Sequence, residues 1–224
     1  MDTLEVMRTT FAARDYTDDE VSDEILYQIL DNARFAPSGG NRQGWRVIIV
    51  KDQEVRVQLK QLMQPVIKKY KAQVMAGETP FNTINPSQVS EETISNTRPE
   101  FPLVDDLEYA PVVMVMCVDL ALISSFDAEL DRVGVISGAS IYPFVWNVLL
   151  AARNEGLGGV LTTFLSGSEA EAKKLLKLPD SFAIASMIAI GKPKKQLTRL
   201  RRSPVEEFAR VDNWEGDSFS NPNE

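Results

Sequence analysis

The sequence predicts one domain that mixes helices with buried strands, and three observations lead there. Apolar runs at 45–51, 110–118 and 183–190 have the length and composition of strands. Between them lie longer segments whose apolar residues recur at helical spacing. The 224-residue chain is 44% hydrophobic and 25% charged, which suits a soluble protein with a full core.

Taken in order, helices are expected at 2–10 and 21–34. In the second, Val21, Ile25, Ile29 and Leu30 fall on one face, with Asp18 or Ser22 as the cap. A strand follows at 45–51, then a helix with a polar face at 52–70. Residues 71–107 hold Pro80, Pro86, Pro99 and Pro102 among several Asn, Ser and Thr. They read as a long, lid-like excursion with one or two helical turns, of the kind that forms lids or binding loops or stays disordered. The strand at 110–118 leads to a short helix or turn at 121–129.

Residues 133–155 read as a central helix ended by Gly156. It is apolar all round and is therefore expected to be buried all round. Residues 133–152 carry no formal charge, but Ser137, Ser140, Pro143 and Asn147 interrupt them, which favours a buried helix over a membrane span. A short strand and loop at 158–164, a surface helix at 168–176 and the strand at 183–190 complete the domain. The tail, 196–224, is first basic and then acidic, with Trp214 as an aromatic anchor. Neither an internal repeat nor a low-complexity segment is present, so one domain is expected over 1–224.

Composition narrows the chemistry. The net charge of −8 disfavours nucleic acid and anionic membranes as partners, and any bound phosphate needs a local group of cations. The chain has no histidine, which removes Ser-His-Asp and Cys-His catalysis and His-ligated metals. Its one cysteine, Cys117, lies within an apolar run and reads as a core residue rather than a nucleophile. A single cysteine allows no internal disulfide and fits a reducing cytoplasm, and the N-terminus shows no apolar signal core.

The most informative segment is Ala33-Arg34-Phe35-Ala36-Pro37-Ser38-Gly39-Gly40-Asn41-Arg42-Gln43-Gly44-Trp45. Pro and paired Gly end a helix and turn backbone amides toward a ligand, while Ser38, Asn41 and Gln43 add side-chain donors and acceptors. Three other stretches stand out. Arg8 and Arg14 flank hydroxyls in Arg8-Thr9-Thr10-Phe11-Ala12-Ala13-Arg14-Asp15-Tyr16, either as solvated arginines or as a phosphate grip. Arg199-Leu200-Arg201-Arg202 is either a solvated basic face or a second cation cluster. Gly156-Leu157-Gly158-Gly159-Val160-Leu161-Thr162-Thr163 is not a dinucleotide fingerprint, which would need glycine at Leu161; by itself it reads equally as a helix end and a tight strand start.

The first segment resembles the Ala-Pro-Ser-x-x-Asn-x-Gln-Pro-Trp segment of the nitroreductase-like flavoprotein family, and the other stretches follow in the family's order. Gly44 departs from it, since Pro usually precedes the Trp. The resemblance implies an α+β, three-layer fold with a central, mainly antiparallel sheet flanked by helices. It implies an FMN enzyme that takes hydride from NAD(P)H and passes it, by ping-pong chemistry, to a nitroaromatic, quinone or activated alkene. The flavin N5 carries the hydride, so no catalytic side chain and no metal is expected.

The resemblance also assigns cofactor contacts. Arg14 and Arg202 meet the FMN phosphate, with Arg8 compensating for Thr10 and Phe11, where family members often have Arg; Ala12 is the neighbouring position. Pro37, Ser38, Gly39, Asn41 and Gln43 hold the ribityl chain and ring, and Leu161, Thr162 and Thr163 pass by the ring's reactive edge. Phe81, Phe101 and Tyr109 are expected to shape the substrate pocket. A homodimer with FMN at its interface is implied, its central helices in contact and its tails crossing to the partner. A flavin carrier or sensor without turnover, and an interaction module with no cofactor, are the alternative readings.

Overall fold

The computed structural model describes residues 1–222. Strand β2 (Val112–Asp119) is the organising element, and its side chains are buried on both faces. Val112, Met114, Met116 and Val118 point into one core, while Val113, Val115 and Cys117 point into the other, as strand periodicity requires. Around it stand β1 (Trp45–Ile49), β3 (Gly158–Thr162) and β4 (Phe182–Gly191). The four strands lie in the order β1-β2-β4-β3, and every pairing is antiparallel. A register shift between Met116 and Cys117 inserts Ala185 as an unpaired residue of β4. Such a bulge moves the following side chains to the other face.

Helices cover both faces, so the sheet is the middle of three layers. Over one face lie α1 (Thr3–Thr9), α2 (Asp23–Ala33) and α6 (Tyr142–Asn154). Over the other lie α3 (Gln53–Met75), α5 (Pro102–Asp105) and α7 (Glu169–Leu176). Ser22, one of the two expected caps, accepts the Ile25 N–H and starts α2. Asp52 starts α3 by accepting the N–H groups of Glu54 and Val55. The α+β fold with an antiparallel sheet is the expected one.

Two helix boundaries differ from expectation. Helix α3 continues past residue 70 to Met75, with Pro65 inside it. Burial of Leu59, Met63, Ile67 and Ala72 along its inner face outweighs the roughly 3 kcal/mol cost of an interior proline. The central helix is shorter than the expected 133–155. It begins only at Tyr142, with Pro143 in its first turn. A proline ring clashes with the carbonyl four residues earlier, and upstream of Pro143 no buried inner face like that of α3 offsets the cost, since Val133, Val135 and Ile136 are exposed. The preceding residues instead form a 3₁₀ turn, Ile136–Ser140. Nor is α6 buried all round: Tyr142 is 44% and Trp146 45% exposed.

The 71–107 excursion folds back onto α3. The Glu78 carboxylate accepts from Ser87 Oγ and the Gln88 N–H, which closes a loop. Helix α4 (Glu91–Asn96) is capped by Ser90. Lys68 and Lys71 on α3 donate to the carbonyls of Ser95 and Glu100. In the tail, α8 (Val205–Phe208) precedes a small hairpin that pairs Arg210 with Ser218, and Trp214 at its tip is 91% exposed. Among the described residues no helix is long and apolar enough to cross a membrane.

Candidate functional site

The loop entering β1 is held in an unusual backbone shape. Gly40, Asn41 and Gln43 all have positive φ, at 57°, 52° and 49°. For Asn41 and Gln43 this region costs on the order of 1 kcal/mol each. The shape is braced from within: Ser38 Oγ accepts the Gln43 N–H at 3.0 Å, and Gln43 Nε2 donates to Asn41 Oδ1 at 3.1 Å. It is also braced from afar, because Ser140 Oγ accepts the Gly39 N–H at 3.0 Å. Ser140 is itself held by the turn before α6. There the buried Asp127 carboxylate accepts from the Val135 N–H (2.7 Å) and Arg132 Nη1 (2.8 Å). These contacts hold its carboxyl below the usual carboxylate range.

The loop's exit is fixed by packing. Trp45 stacks on Phe144 of α6 with ring centroids 4.8 Å apart. Gly44 is buried, and a Cβ there would stand 3.1 Å from Leu122 Cβ. A side chain there would press on Leu122. The polar tips of Asn41, Arg42 and Gln43 remain exposed.

A second group assembles at the start of β3. Ala12 bridges Gly159, and Ala13 donates its N–H to Gly159 O at 3.1 Å. Tyr16 pins the same segment, its buried hydroxyl 2.7 Å from Ala13 O and 3.0 Å from Ala189 O; burial pushes the phenol's pKa up, so it stays protonated. Among the described residues Arg14 donates only to the carbonyl of Ala12, and it is exposed. Lys192 and Lys194 are committed to Asp19 (2.7 Å) and Asp15 (2.9 Å). Arg8, Arg14, Arg199, Arg201 and Arg202 have no carboxylate partner among the described residues. Arg202 donates to Arg201 O, and no hydrogen bond or ion pair joins it to Arg14. Thr10 is buried with its hydroxyl donated to Val6 O, Phe11 is half-buried and Ala12 exposed.

The two groups lie at opposite corners of the sheet. Trp45 pairs with Val118, and Val118 with Ala183, whereas Gly159 pairs with Ile190. Seven residues of β4 at about 3.3 Å each separate those ends by roughly 23 Å, and β1 and β3 are the two outer strands. Helix α6 spans the same gap, with Ser140 before its start and Arg153 at its end.

Strand β3 runs from the Arg14 corner to Thr162, opposite Met187. Leu161 is half-buried, Thr162 buried and Thr163 exposed, and Thr162 Oγ1 accepts the Phe164 N–H. Phe164 then meets the excursion. Its ring lies 5.2 Å from that of Phe101 and 5.7 Å from that of Tyr70, and Tyr70 also contacts Phe81 at 5.9 Å. So Phe81 and Phe101 come together beside the end of β3. Tyr109 does not join them; it is 72% exposed and faces a 230 Å³ cleft with Arg14, Asp106 and Lys194.

A model of the Nitroreductase family matches residues 7–192. The chain belongs to the Nitroreductase family. An Archaeoglobus fulgidus protein that carries the provisional name NADH dehydrogenase/NAD(P)H nitroreductase is 26% identical over 205 residues, 86% of each chain. An FMN reductase (NAD(P)H) of Bacillus subtilis is also 26% identical, over 86% of this chain and 66% of its own length. The structure of the NADPH:FMN oxidoreductase from Vibrio harveyi complexed with NAD+ shares the fold. Its TM-score is 0.66 at 20% identity, covering 95% of this chain and 78% of that one.

In this nitroreductase-family chain, several residues near the site escape a reading of the sequence alone. Ser140 reads there only as an interruption in an uncharged run, and its partner is 101 positions away. Tyr70 and Phe164 read as an ordinary helix residue and loop residue, and only the return of the excursion joins them to Phe81 and Phe101. Arg153 gives no local signal; its bond to Thr9 spans 144 positions.

Proposed function

We propose that this chain is an FMN-dependent oxidoreductase that takes hydride from NAD(P)H and delivers it to an electron-poor acceptor, such as a nitroaromatic, quinone or activated alkene, in alternating half-reactions. One observation carries the reading: the two donor groups are each prepared for a ligand but stand at opposite corners of one chain. Arg14, with no carboxylate partner among the described residues, and the edge of β3 form one corner, and a strained, polar loop forms the other. A single FMN is too short to bridge them within one chain. Two copies related by a two-fold axis can bring the loop of one against the arginine corner of the other.

The donor set fits FMN. Arg14 and Arg202 would hold the phosphate through charge-assisted hydrogen bonds. Ser38, Asn41 and Gln43 would orient the ribityl chain and ring from the second copy, and the backbone of 161–163 would line the ring's edge. Tyr70, Phe81, Phe101 and Phe164 would form an apolar wall beside it. When bound, FMN supplies the hydride-accepting centre, so no histidine is needed. The exposed Tyr142 and Trp146 on α6, with Val135 and Ile136 before it, offer an apolar face for a homodimer. The tail would lie across the partner. One domain with a lone, buried cysteine suits the reducing cytoplasm.

The test is the visible absorption spectrum of the purified protein, taken before and after anaerobic NADH and NADPH. A yellow protein bleached by either nucleotide is the expected result. A yellow protein that never bleaches would make it a flavin carrier or sensor. A colourless protein that cannot take up FMN would overturn the reading.

A further inference from the structure

Arg153 occupies the last turn of α6 and is only 9% exposed. Its Nε donates to Thr9 Oγ1 at 2.9 Å, and Thr9 in turn donates to Glu5 O. Among the described residues the guanidinium makes no other hydrogen bond and has no carboxylate partner. Its terminal nitrogens retain a path to solvent. Arginine stays charged at any working pH, and a buried cation is costly unless something negative meets it. The carbonyls at the end of α6 offset part of that charge, but its remaining donors meet no protein acceptor among the described residues.

The position of Arg153 says which anion to look for. Thr9, its partner, lies beside Arg8 in the N-terminal segment that continues to Arg14. The Thr9 carbonyl accepts Gln196 Nε2 at 3.1 Å, which fastens the root of the basic tail to the same residue. Arg153 therefore stands beside both the N-terminal segment and the point where the basic tail departs, and positions 10 and 11 of that segment, between Arg8 and Arg14, carry no charge. We propose that Arg153 is a third phosphate-binding cation of the flavin site, supplied by α6 rather than by the N-terminal segment or the tail. This rests on the FMN reading above. The competing role is a brace, in which Arg153 turns to the Gln196 Oε1 that is buried and lacks a donor.

The two roles separate when FMN is compared with riboflavin, which lacks the phosphate. The full chain, stripped of flavin, is titrated with each, and binding is read by quenching of flavin fluorescence. For Arg153→Gln the expected result is an FMN affinity lower by about tenfold or more, with riboflavin affinity unchanged. Arg153→Lys keeps the charge, is milder to the fold, and should show an intermediate FMN preference. If either variant weakens both flavins equally, or changes neither, Arg153 is a brace and the proposal fails. If the wild-type chain binds neither flavin, the FMN reading itself falls and this proposal with it.

Discussion

Ser140 Oγ accepts the Gly39 N–H at 3.0 Å, joining the turn before α6 to the loop before β1. The bond makes the shape of that loop depend on a residue 101 positions away. Ser140→Ala would leave the Gly39 amide without its partner. We expect a stability loss of about 1 kcal/mol in denaturant melts. FMN dissociation should also be faster, because Asn41 and Gln43 lose their fixed frame. An unchanged dissociation rate would separate the loop from the cofactor.

Among the described residues Arg14 and Arg202 each donate only to a nearby backbone carbonyl, which leaves guanidinium donors uncommitted there. Arg14→Ala and Arg202→Ala should each weaken FMN retention through gel filtration, and the double variant should lose it further. Both arginines are exposed, so melting temperatures should move little. Unchanged retention in both single variants and the double variant would refute their assignment to the phosphate.

Trp146 exposes 45% of its surface and Tyr142 exposes 44% on a helix whose other face is core. Trp146→Glu should convert a dimer to a monomer in sedimentation runs and release flavin at the same time. A monomeric wild-type protein that retains FMN would show that one chain completes the site.

Burial pushes the Cys117 thiol from its ordinary 9.0 up to about 12. The folded state therefore holds a proton that the unfolded chain releases from about pH 9 upward. That contribution to stability is whole below about pH 9 and is lost as the pH rises toward 12. Thermal melts between pH 8 and 11 should fall more steeply for wild type than for Cys117→Ala. Iodoacetamide should leave the native thiol unlabelled at pH 8 while labelling the urea-unfolded chain.

The elements that read correctly from sequence are those set by local rules. Strands β1, β2 and β4 announce themselves as apolar runs; for β2 and β4 the reason is that a strand buried on both faces tolerates no polar alternation. The cap at Ser22 and the loop at 37–43 are equally legible, since Pro, Gly and short polar side chains impose turns by their own geometry. The start of α6 was within reach for the same reason. Pro143 is a local stop signal, and it outweighs the apolar continuity that suggests a helix from 133.

The sequence by itself determined the order of the elements and the absence of histidine chemistry, because composition and short-range sterics suffice for these. Only the tertiary structure decided which residues meet. It set Ser140 against Gly39, Arg153 against Thr9 and Tyr70 among Phe81, Phe101 and Phe164. It also sent the 37–43 loop and Arg14 to opposite corners of the sheet. The physical reason is that strand pairing and layer packing act between residues far apart in the chain, and no local pattern records their partners.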